Sequence, residues 1–240
     1  MKARYDEIYR DLRRTIEAGD YAYQSFLPSE AVLTRAYSCS HNTVRRALAL
    51  LRDEGYVQPV HGKGVRVIYR EPDRETFFVG GIESFREARD RGGFESSTRV
   101  ITFERMAASN AIAEMTGFPP GEELFAIERV RSINGENLIL DRNFFLTREM
   151  PGLTREIAEQ SIYDYLEHDV GITIAMSKRE ITGERADGCD RKLLDLGDVD
   201  YLAVVSSQTF DAQGTMIEFT QSRHRLDHFC FRDTAVRQNV

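Results

Sequence analysis

Apolar residues in the first third of the chain recur mainly at the spacing of α-helices, and those of the remainder mainly at the spacing of β-strands. The first helix is predicted over residues 5–18, where three apolar residues spaced four apart form one face: Ile8, Leu12 and Ile16. Two further helical segments follow, one over 29–36 and one opened by Ser40 as its N-cap. Because only three residues separate them, this order predicts a helix-turn-helix.

The helix that follows Ser40 has one apolar face and one polar, basic face. Val44, Leu48 and Leu51 recur at i, i+4 and i+7 and form the apolar face. In a recognition helix the N-terminal residues reach base edges in the major groove, and arginines contact guanine or phosphate. An ordinary amphipathic surface helix is the alternative. The residues predicted to contact DNA in this region are Ser29, Ser40, His41, Asn42, Thr43, Arg45 and Arg46.

Alternating apolar residues after this helix predict a two-stranded wing over residues 56–67. The turn between the strands contains Gly62, Lys63 and Gly64. Glycine lets the backbone approach a phosphate closely, and Lys63, with Arg66 and Arg70 nearby, supplies positive charge. The sequence therefore predicts a winged helix-turn-helix that binds double-stranded DNA.

Beyond a charged, proline-containing linker at 69–76, the pattern changes to that of an α+β domain with a mostly antiparallel sheet. The predicted domains are 1–68 and 77–240. Asn134 and Gly135 form a turn pair that predicts a hairpin. Strands are predicted at 97–105, 123–133, 137–146, 174–185, 201–210 and 215–224, and helices at 84–91, 109–116, 154–160, 162–168 and 187–194.

The net charge differs in sign between the two parts of the chain. The 240 residues carry 32 Lys and Arg and 39 Asp and Glu, a net charge of −7. Residues 1–70 contain 12 basic and 8 acidic side chains, hence +4, and the other 170 residues carry −11. Attraction to nucleic acid depends on the face presented locally, so the acidic total does not argue against DNA binding.

Several protein classes are not supported by the sequence. The three cysteines lack CxxC spacing, which indicates neither a disulfide framework nor a metal site. No motif of a hydrolase, metalloprotease or P-loop enzyme occurs, so neither catalytic residues nor a cofactor are predicted. No apolar leader is found, and no apolar run approaches the roughly 18 residues of a membrane helix. We therefore expect a cytoplasmic protein without membrane contact.

Three short segments of the second domain could hold an anion. Arg129 and Arg131 lie two apart in a predicted strand and share one face, where they need a carboxylate of the protein or a phosphate of a ligand. Two glycines precede a helix start at Ser84, which either exposes backbone N–H groups or forms a capping box with Glu87. Tyr163, beyond another capped start, is either a half-buried aromatic or a hydroxyl donor.

The N-terminal residues resemble the GntR-type family of bacterial transcription factors. One departure is His41, where many members have arginine, and a neutral imidazole cannot reproduce the bidentate contact of guanidinium with guanine. The base preferred at this position is therefore expected to differ from the one preferred by members that have arginine there. The resemblance rests on Leu27-Pro28-Ser29-Glu30, Leu33, Tyr37, Ser40, Thr43-Val44-Arg45, Ala47-Leu48, Leu51, Glu54-Gly55-Tyr56 and Gly62-Lys63-Gly64.

The region from about Phe78 to Arg232 resembles the effector-binding domain of the HutC subfamily, a chorismate-lyase-like (UTRA) α+β fold. The resemblance implies a homodimer and an effector whose phosphate or carboxylate is bound by three segments. Opposite this anion pocket, the resemblance implies sugar contacts from Asp141 and Glu218. Alternatively, Asp141 could pair with Arg142 or another neighbour, and Glu218 could be a solvated strand residue. The implied anion-binding residues are Ser84, Phe85, Arg86, Arg129, Arg131, Ser161 and Tyr163.

The C-terminal run 222–229 departs from the common subfamily ending at His224, Leu226 and His228. Together with the GGIESF and LDRNFF segments, it resembles regulators of trehalose use, which implies trehalose 6-phosphate as the inducer. The expected function is a repressor of sugar-utilisation genes that leaves its operator when a phosphosugar binds. The alternatives are another phosphosugar such as an amino-sugar phosphate, a carboxylate effector, an activator, or an enzyme that uses the lyase-like pocket.

Overall fold

The computed structural model describes residues 4–70, 82 and 84–231. These residues form two compact units, one ending and the other beginning within the segment 71–81. Most of the linker predicted at 69–76, including Pro72, lies outside the described residues, as do Gly80 and Gly81, the two glycines that precede Ser84 in the sequence. The domain bounds 1–68 and 77–240 therefore stay a prediction.

The N-terminal unit is three helices followed by a hairpin. Its elements are α1 (Arg4–Glu17), α2 (Glu30–Ala36), α3 (His41–Asp53), β1 (Val57–Val60) and β2 (Gly64–Val67). The apolar faces read from the sequence meet in one core, since Ile8, Leu12 and Val44 are among its fully buried side chains. Ser29 and Ser40 accept hydrogen bonds from backbone N–H groups at the starts of α2 and α3, which confirms both predicted helix starts.

The hairpin has an additional backbone partner that the sequence did not reveal. The segment 24–27 pairs antiparallel with β2: Gln24 N donates to Val67 O at 2.9 Å, and Leu27 N donates to Val65 O at 2.9 Å. The two-stranded wing is confirmed, and this isolated bridge adds a contact that the sequence did not predict. Residues 21–26 show no alternating apolar pattern, because this short edge segment buries little of its own surface and is held by backbone bonds.

The C-terminal unit is built on one six-stranded antiparallel sheet, with strand order β3-β4-β5-β8-β7-β6. All six strands predicted from the sequence are confirmed to within about two residues at either end. The elements are α4 (Phe85–Gly92), β3 (Ser96–Ala107), α5 (Asn110–Thr116), β4 (Glu123–Ile133), β5 (Glu136–Leu146), α6 (Arg155–Glu159), α7 (Ile162–Asp164), β6 (Ile174–Arg185), α8 (Gly188–Leu193), β7 (Tyr201–Asp211) and β8 (Met216–Arg225).

Local sequence explains the central hairpin, but not the change of helix type within the helix predicted at 162–168. Asn134 and Gly135 both have positive φ angles, 49° and 87°, as a tight two-residue turn between β4 and β5 requires. The α-helix after Ser161 ends at Asp164 and continues as a π-helical turn, Tyr165–Val170. Residues 162–168 are therefore helical as predicted, but the apolar spacing did not reveal the change to a π-helical turn, because a wider turn leaves no distinct signature there.

The two faces of the sheet are covered by different helices. On one face, α6 and α7 pack over Phe125, Ile127 and Phe145. On the other face, α5 and α8 cover two apolar clusters. There Arg223 of β8 forms a buried bidentate pair with Asp190 of α8, with nitrogen to oxygen distances of 2.9 to 3.1 Å, which holds α8 on the sheet.

Candidate functional site

A polar cavity lies on the face of the sheet that α6 and α7 cover, and the start of α4 forms part of its wall. Its floor consists of alternate side chains from five neighbouring strands, because residues two apart in a strand project to the same side. The cavity brings together every effector-site residue predicted from the sequence: Ser84, Phe85, Arg86, Arg129, Arg131, Asp141, Ser161, Tyr163 and Glu218.

The two arginines of β4 lie buried in this floor. Arg129 is 4% exposed, and its guanidinium donates to Asn143 Oδ1 at 3.0 Å and to the carbonyl of Ala158 at 3.4 Å. Burial lowers the pKa of Arg129 to about 10, and the neighbouring Arg131 acts in the same direction. A buried cation whose charge is incompletely balanced favours the approach of an anion.

Asp141 lies beside these arginines. Arg131 Nε donates to Asp141 Oδ2 at 2.5 Å, and Ser222 donates to Asp141 Oδ1 at 2.6 Å. Burial alone would raise the pKa of Asp141, but the two arginines lower it to about 2. Asp141 therefore pairs with a neighbour, as one interpretation of the sequence allowed, but this neighbour is Arg131 and not Arg142, which contacts Glu128 and Asp187 on the other face. The contact of Asp141 with a sugar stays a prediction. The carboxylate balances Arg131 because their strands are adjacent.

Glu218 forms a second polar cluster in the cavity. Tyr163 donates to Glu218 Oε2 at 2.6 Å, and Thr220 donates to Glu218 Oε1 at 2.5 Å. Asn143 donates to Thr220 Oγ1 at 2.6 Å, which connects the cluster to Arg129. Burial and the carboxylate of Glu218 raise the pKa of Tyr163 well above its usual range, so the phenol remains a hydrogen-bond donor.

The start of α4 forms the capping box that was one of its two sequence interpretations. Ser84 Oγ accepts from Glu87 N, and Glu87 Oε2 accepts from Ser84 N at 2.7 Å. Phe85 places its ring 4.4 Å from the guanidinium of Arg131. Arg86 pairs with Asp164 at 3.1 Å. The cap fixes the position of α4, so Phe85 and Arg86 face the cavity from a defined place.

Ser161 has a structural role within the site. It is 8% exposed, and its hydroxyl accepts from Asp164 N at 3.2 Å. This bond caps α7 and sets the direction in which Tyr163 enters the cavity.

Other cavity residues were not selected from the sequence, although a signal for them existed. All of them except Gln160, which is the C-cap of α6, share the i, i+2 spacing that identified Arg129 and Arg131, but this spacing selects half of every strand and does not distinguish a site from a solvated face. The additional polar lining consists of Asn143, Gln160, Ser177, Arg179, Ser207, Thr220, Ser222 and His224.

The charge of the lining favours an anionic ligand. Arg129, Arg131 and Arg179 face the carboxylates of Asp141 and Glu218, and Arg86 is balanced by Asp164. Among the described lining residues these are three cations and two anions, and charge-assisted hydrogen bonds from guanidinium suit a phosphate or carboxylate. In the part of the chain that the structure describes, no three His, Cys, Asp or Glu side chains group as a metal site.

His224 lies in the cavity near Asp141 and Arg131, and burial lowers its pKa from 6.5 to about 4. We expect the free energy of unfolding to fall as pH decreases from about 6.5 to about 4, because only the unfolded chain binds a proton to this imidazole in that window. The loss approaches roughly 3 kcal/mol. Urea unfolding of the full chain at stepped pH measures it. His224→Asn should flatten the curve, and an unchanged slope would contradict the assignment.

The polar face of α3 is exposed, as a DNA-reading helix requires. His41, Asn42 and Arg45 are exposed, and Thr43 is half-buried with its hydroxyl 2.8 Å from Ser40 Oγ. Arg45 Nε donates to Glu30 Oε2 of α2 at 2.8 Å, which orients its guanidinium from the preceding helix. Arg46 differs, because its guanidinium stacks 3.9 Å from the ring centroid of Tyr5 in α1.

The tip of the wing has the backbone that its glycines were predicted to allow. Gly62 and Gly64 have φ angles of 70° and 112°, which disfavour other residues, and Lys63 between them is exposed. Arg66 lies over the ring of Phe26 at 4.8 Å, and Arg70 lies over that of Tyr23 at 3.9 Å. Lys63 is therefore the wing cation placed for direct contact with a phosphate.

Comparison with known proteins supports both units. The family model described as bacterial regulatory proteins, gntR family, matches residues 4–67, and the model of the UTRA domain matches residues 91–230. The HTH-type transcriptional regulator TreR of Bacillus subtilis (strain 168) is 39% identical over 230 residues, covering 96% of either chain. Probable transcriptional regulator PhnF of Escherichia coli (strain K12) is 26% identical over 93% of this chain and 92% of its own.

Solved structures have the same architecture. The possible transcriptional regulator YydK of Bacillus subtilis superposes with a TM-score of 0.80 over 98% of this chain and all of its own, at 20% identity, which supports the fold. The effector binding domain of the B. subtilis trehalose repressor (TreR) matches 60% of this chain and 99% of its own, with a TM-score of 0.54 and 36% identity. No helix among the described residues is long and apolar enough to span a bilayer.

Proposed function

Because this chain belongs to the GntR family of bacterial regulatory proteins and carries a UTRA domain, we propose that it is a repressor released from its operator by an anionic effector. The observation that carries this proposal is the pair of buried arginines, Arg129 and Arg131, whose one ion-paired carboxylate among the described residues is Asp141, hydrogen-bonded to Arg131 and 3.9 Å from Arg129. Such a floor supplies guanidinium hydrogen bonds that a phosphate accepts.

The proposed effector is a phosphosugar, most specifically trehalose 6-phosphate. The phosphate would lie between the β4 arginines and the start of α4, and the sugar hydroxyls would meet the oxygens of Glu218 and its cluster. The solved domain at 36% identity belongs to a protein named the trehalose repressor, which supports this choice. Another phosphosugar, such as an amino-sugar phosphate, or a carboxylate is the alternative.

Release of DNA requires that the effector bind one conformation more tightly than another. We place the DNA-reading residues on α3 and on the wing, and we propose that a homodimer presents two such modules to half-sites about one helical turn apart. The effector would favour an arrangement in which the modules no longer match both half-sites. The predicted linker around Pro72 would be the pivot.

Calorimetric titration of the full chain tests the effector. We expect trehalose 6-phosphate to bind at least 100-fold more tightly than trehalose, which lacks the phosphate, and than glucose 6-phosphate, which lacks the second ring. Equal binding of trehalose would contradict the phosphate site, and equal binding of glucose 6-phosphate would contradict the disaccharide assignment. Silence with all three would reject trehalose 6-phosphate and direct the search to other phosphosugars or carboxylates.

A further inference from the structure

The two edges of the six-stranded sheet differ in how their backbone is protected. At the β3 edge, Arg155 of α6 donates to the carbonyl of Val100 at 2.7 Å, and a bulge between Val100 and Thr102 interrupts the ladder. Both features hinder pairing with another strand. The structure therefore blocks one edge of the sheet.

At the β6 edge the only bulge among the described residues lies at the start of the strand, between Ile174 and Met176, and none of the side-chain hydrogen bonds identified in β6 covers the backbone beyond it. The strand is twelve residues long, and its pairing with β7 is regular from Met176 to Arg185. It has no proline, and its middle is exposed, with Ile181 at 37%. A long, regular and accessible edge presents backbone N–H and C=O groups to a further strand.

We propose that β6 pairs antiparallel with β6 of a second copy of this chain, in a register centred on Ile181. A two-fold axis through this position places Lys178 opposite Glu184 of the partner copy, and this contact occurs twice. Each Ile181 then faces its equivalent, which removes exposed apolar surface from water. Arg179 lies opposite a glycine, Gly183, which leaves room for its side chain.

Neighbouring registers are unfavourable because they juxtapose like charges. Centring the axis on Glu180 places this carboxylate opposite itself. Centring it on Thr182 places Glu180 opposite Glu184, and centring it on Arg179 places two guanidinium groups opposite each other. Directly opposed like charges destabilise an antiparallel pair. The register centred on Arg179 also pairs Lys178 with Glu180, but among these registers only the one centred on Ile181 pairs opposite charges without opposing like charges.

This interface would connect the effector cavity to the assembly. Ser177 and Arg179 of β6 line the cavity, while Lys178 and Glu180 lie on the opposite side of the same strand. A ligand that shifts β6 would therefore shift the partner copy through the shared sheet. The inference deepens the proposed homodimer by naming its contact, and it rests on that proposal.

Disulfide trapping in the full chain tests the register. In a background with Cys39→Ser, Cys189→Ser and Cys230→Ser, we expect Ile181→Cys to form a covalent dimer under mild oxidation. Opposed residues of an antiparallel pair have Cα atoms about 4.5–5.5 Å apart, within disulfide range. Two control variants should remain unlinked. In Thr182→Cys the two introduced cysteines lie diagonally across the strand pair, about 7–8 Å or more apart. Glu104→Cys places its cysteine on the β3 edge, away from the proposed interface.

Light scattering of the same background protein separates the possible failures. A dimer in solution without linkage of Ile181→Cys would overturn the interface and leave the homodimer intact. A monomer at micromolar concentration would reject both the interface and the homodimer. Equal linkage of all three cysteine variants would indicate random collision and would also overturn the proposed register.

Discussion

Replacing Arg45 with alanine is expected to remove most of the operator affinity and to leave effector binding unchanged. Arg45 is exposed on α3 and oriented by Glu30 at 2.8 Å, so its guanidinium is presented outward from a fixed helix. A base-edge or phosphate contact by arginine is worth about 1–3 kcal/mol. Because the proposed homodimer would make the contact twice, the expected loss is about 2–6 kcal/mol, roughly 30-fold or more in affinity.

Fluorescence anisotropy with operator DNA selected by the wild-type protein measures this loss. Arg52→Ala is a matched control, because Arg52 lies two turns further along the same side of α3 and pairs with Asp53. Arg45→Lys keeps the charge but not the bidentate geometry, so it should recover only part of the affinity. Wild-type affinity of Arg45→Ala would show that α3 does not read the operator.

Replacing Arg129 with alanine is expected to make operator binding insensitive to the effector. Truncating one partner of a buried charge pair costs about 2–5 kcal/mol, so the trehalose 6-phosphate concentration for half release should rise roughly 100-fold. Arg129 is the better target of the two arginines, because Asp141 keeps its close partner Arg131 when Arg129 is removed. Removing Arg131 would instead leave the buried carboxylate of Asp141 with only the more distant Arg129, 3.9 Å away, and would destabilise the fold.

The measurement is operator release at increasing trehalose 6-phosphate, with operator affinity in the absence of effector as the reference. Arg142→Ala is the control, because Arg142 lies on the adjacent strand but on the opposite face, against Glu128 and Asp187. We expect this control to release DNA as the wild type does. Release of the Arg129→Ala variant at the wild-type concentration would place the anion site elsewhere in the molecule.

Local signals in the sequence determined most of the secondary structure. The caps at Ser29 and Ser40 and the Asn134-Gly135 turn act within a few residues, so their effect can be read without knowledge of the fold. The i, i+2 spacing of Arg129 and Arg131 likewise placed both on one face. The edge segment 24–27 has no such signal, because backbone bonds to a strand distant in sequence hold it.

The sequence by itself determined the helix-turn-helix and the six strands, because helix caps, turns and side-chain alternation are local properties of the chain. The residues that face one cavity were predicted together only through the family resemblance. Only the tertiary structure decided which charges neutralise one another. Asp141 balances Arg131 rather than Arg142, since β4 and β5 bring the first pair together on one face and turn Arg142 to the other. Such partners depend on strand register and side-chain direction across the sheet, which arise only when distant segments pair.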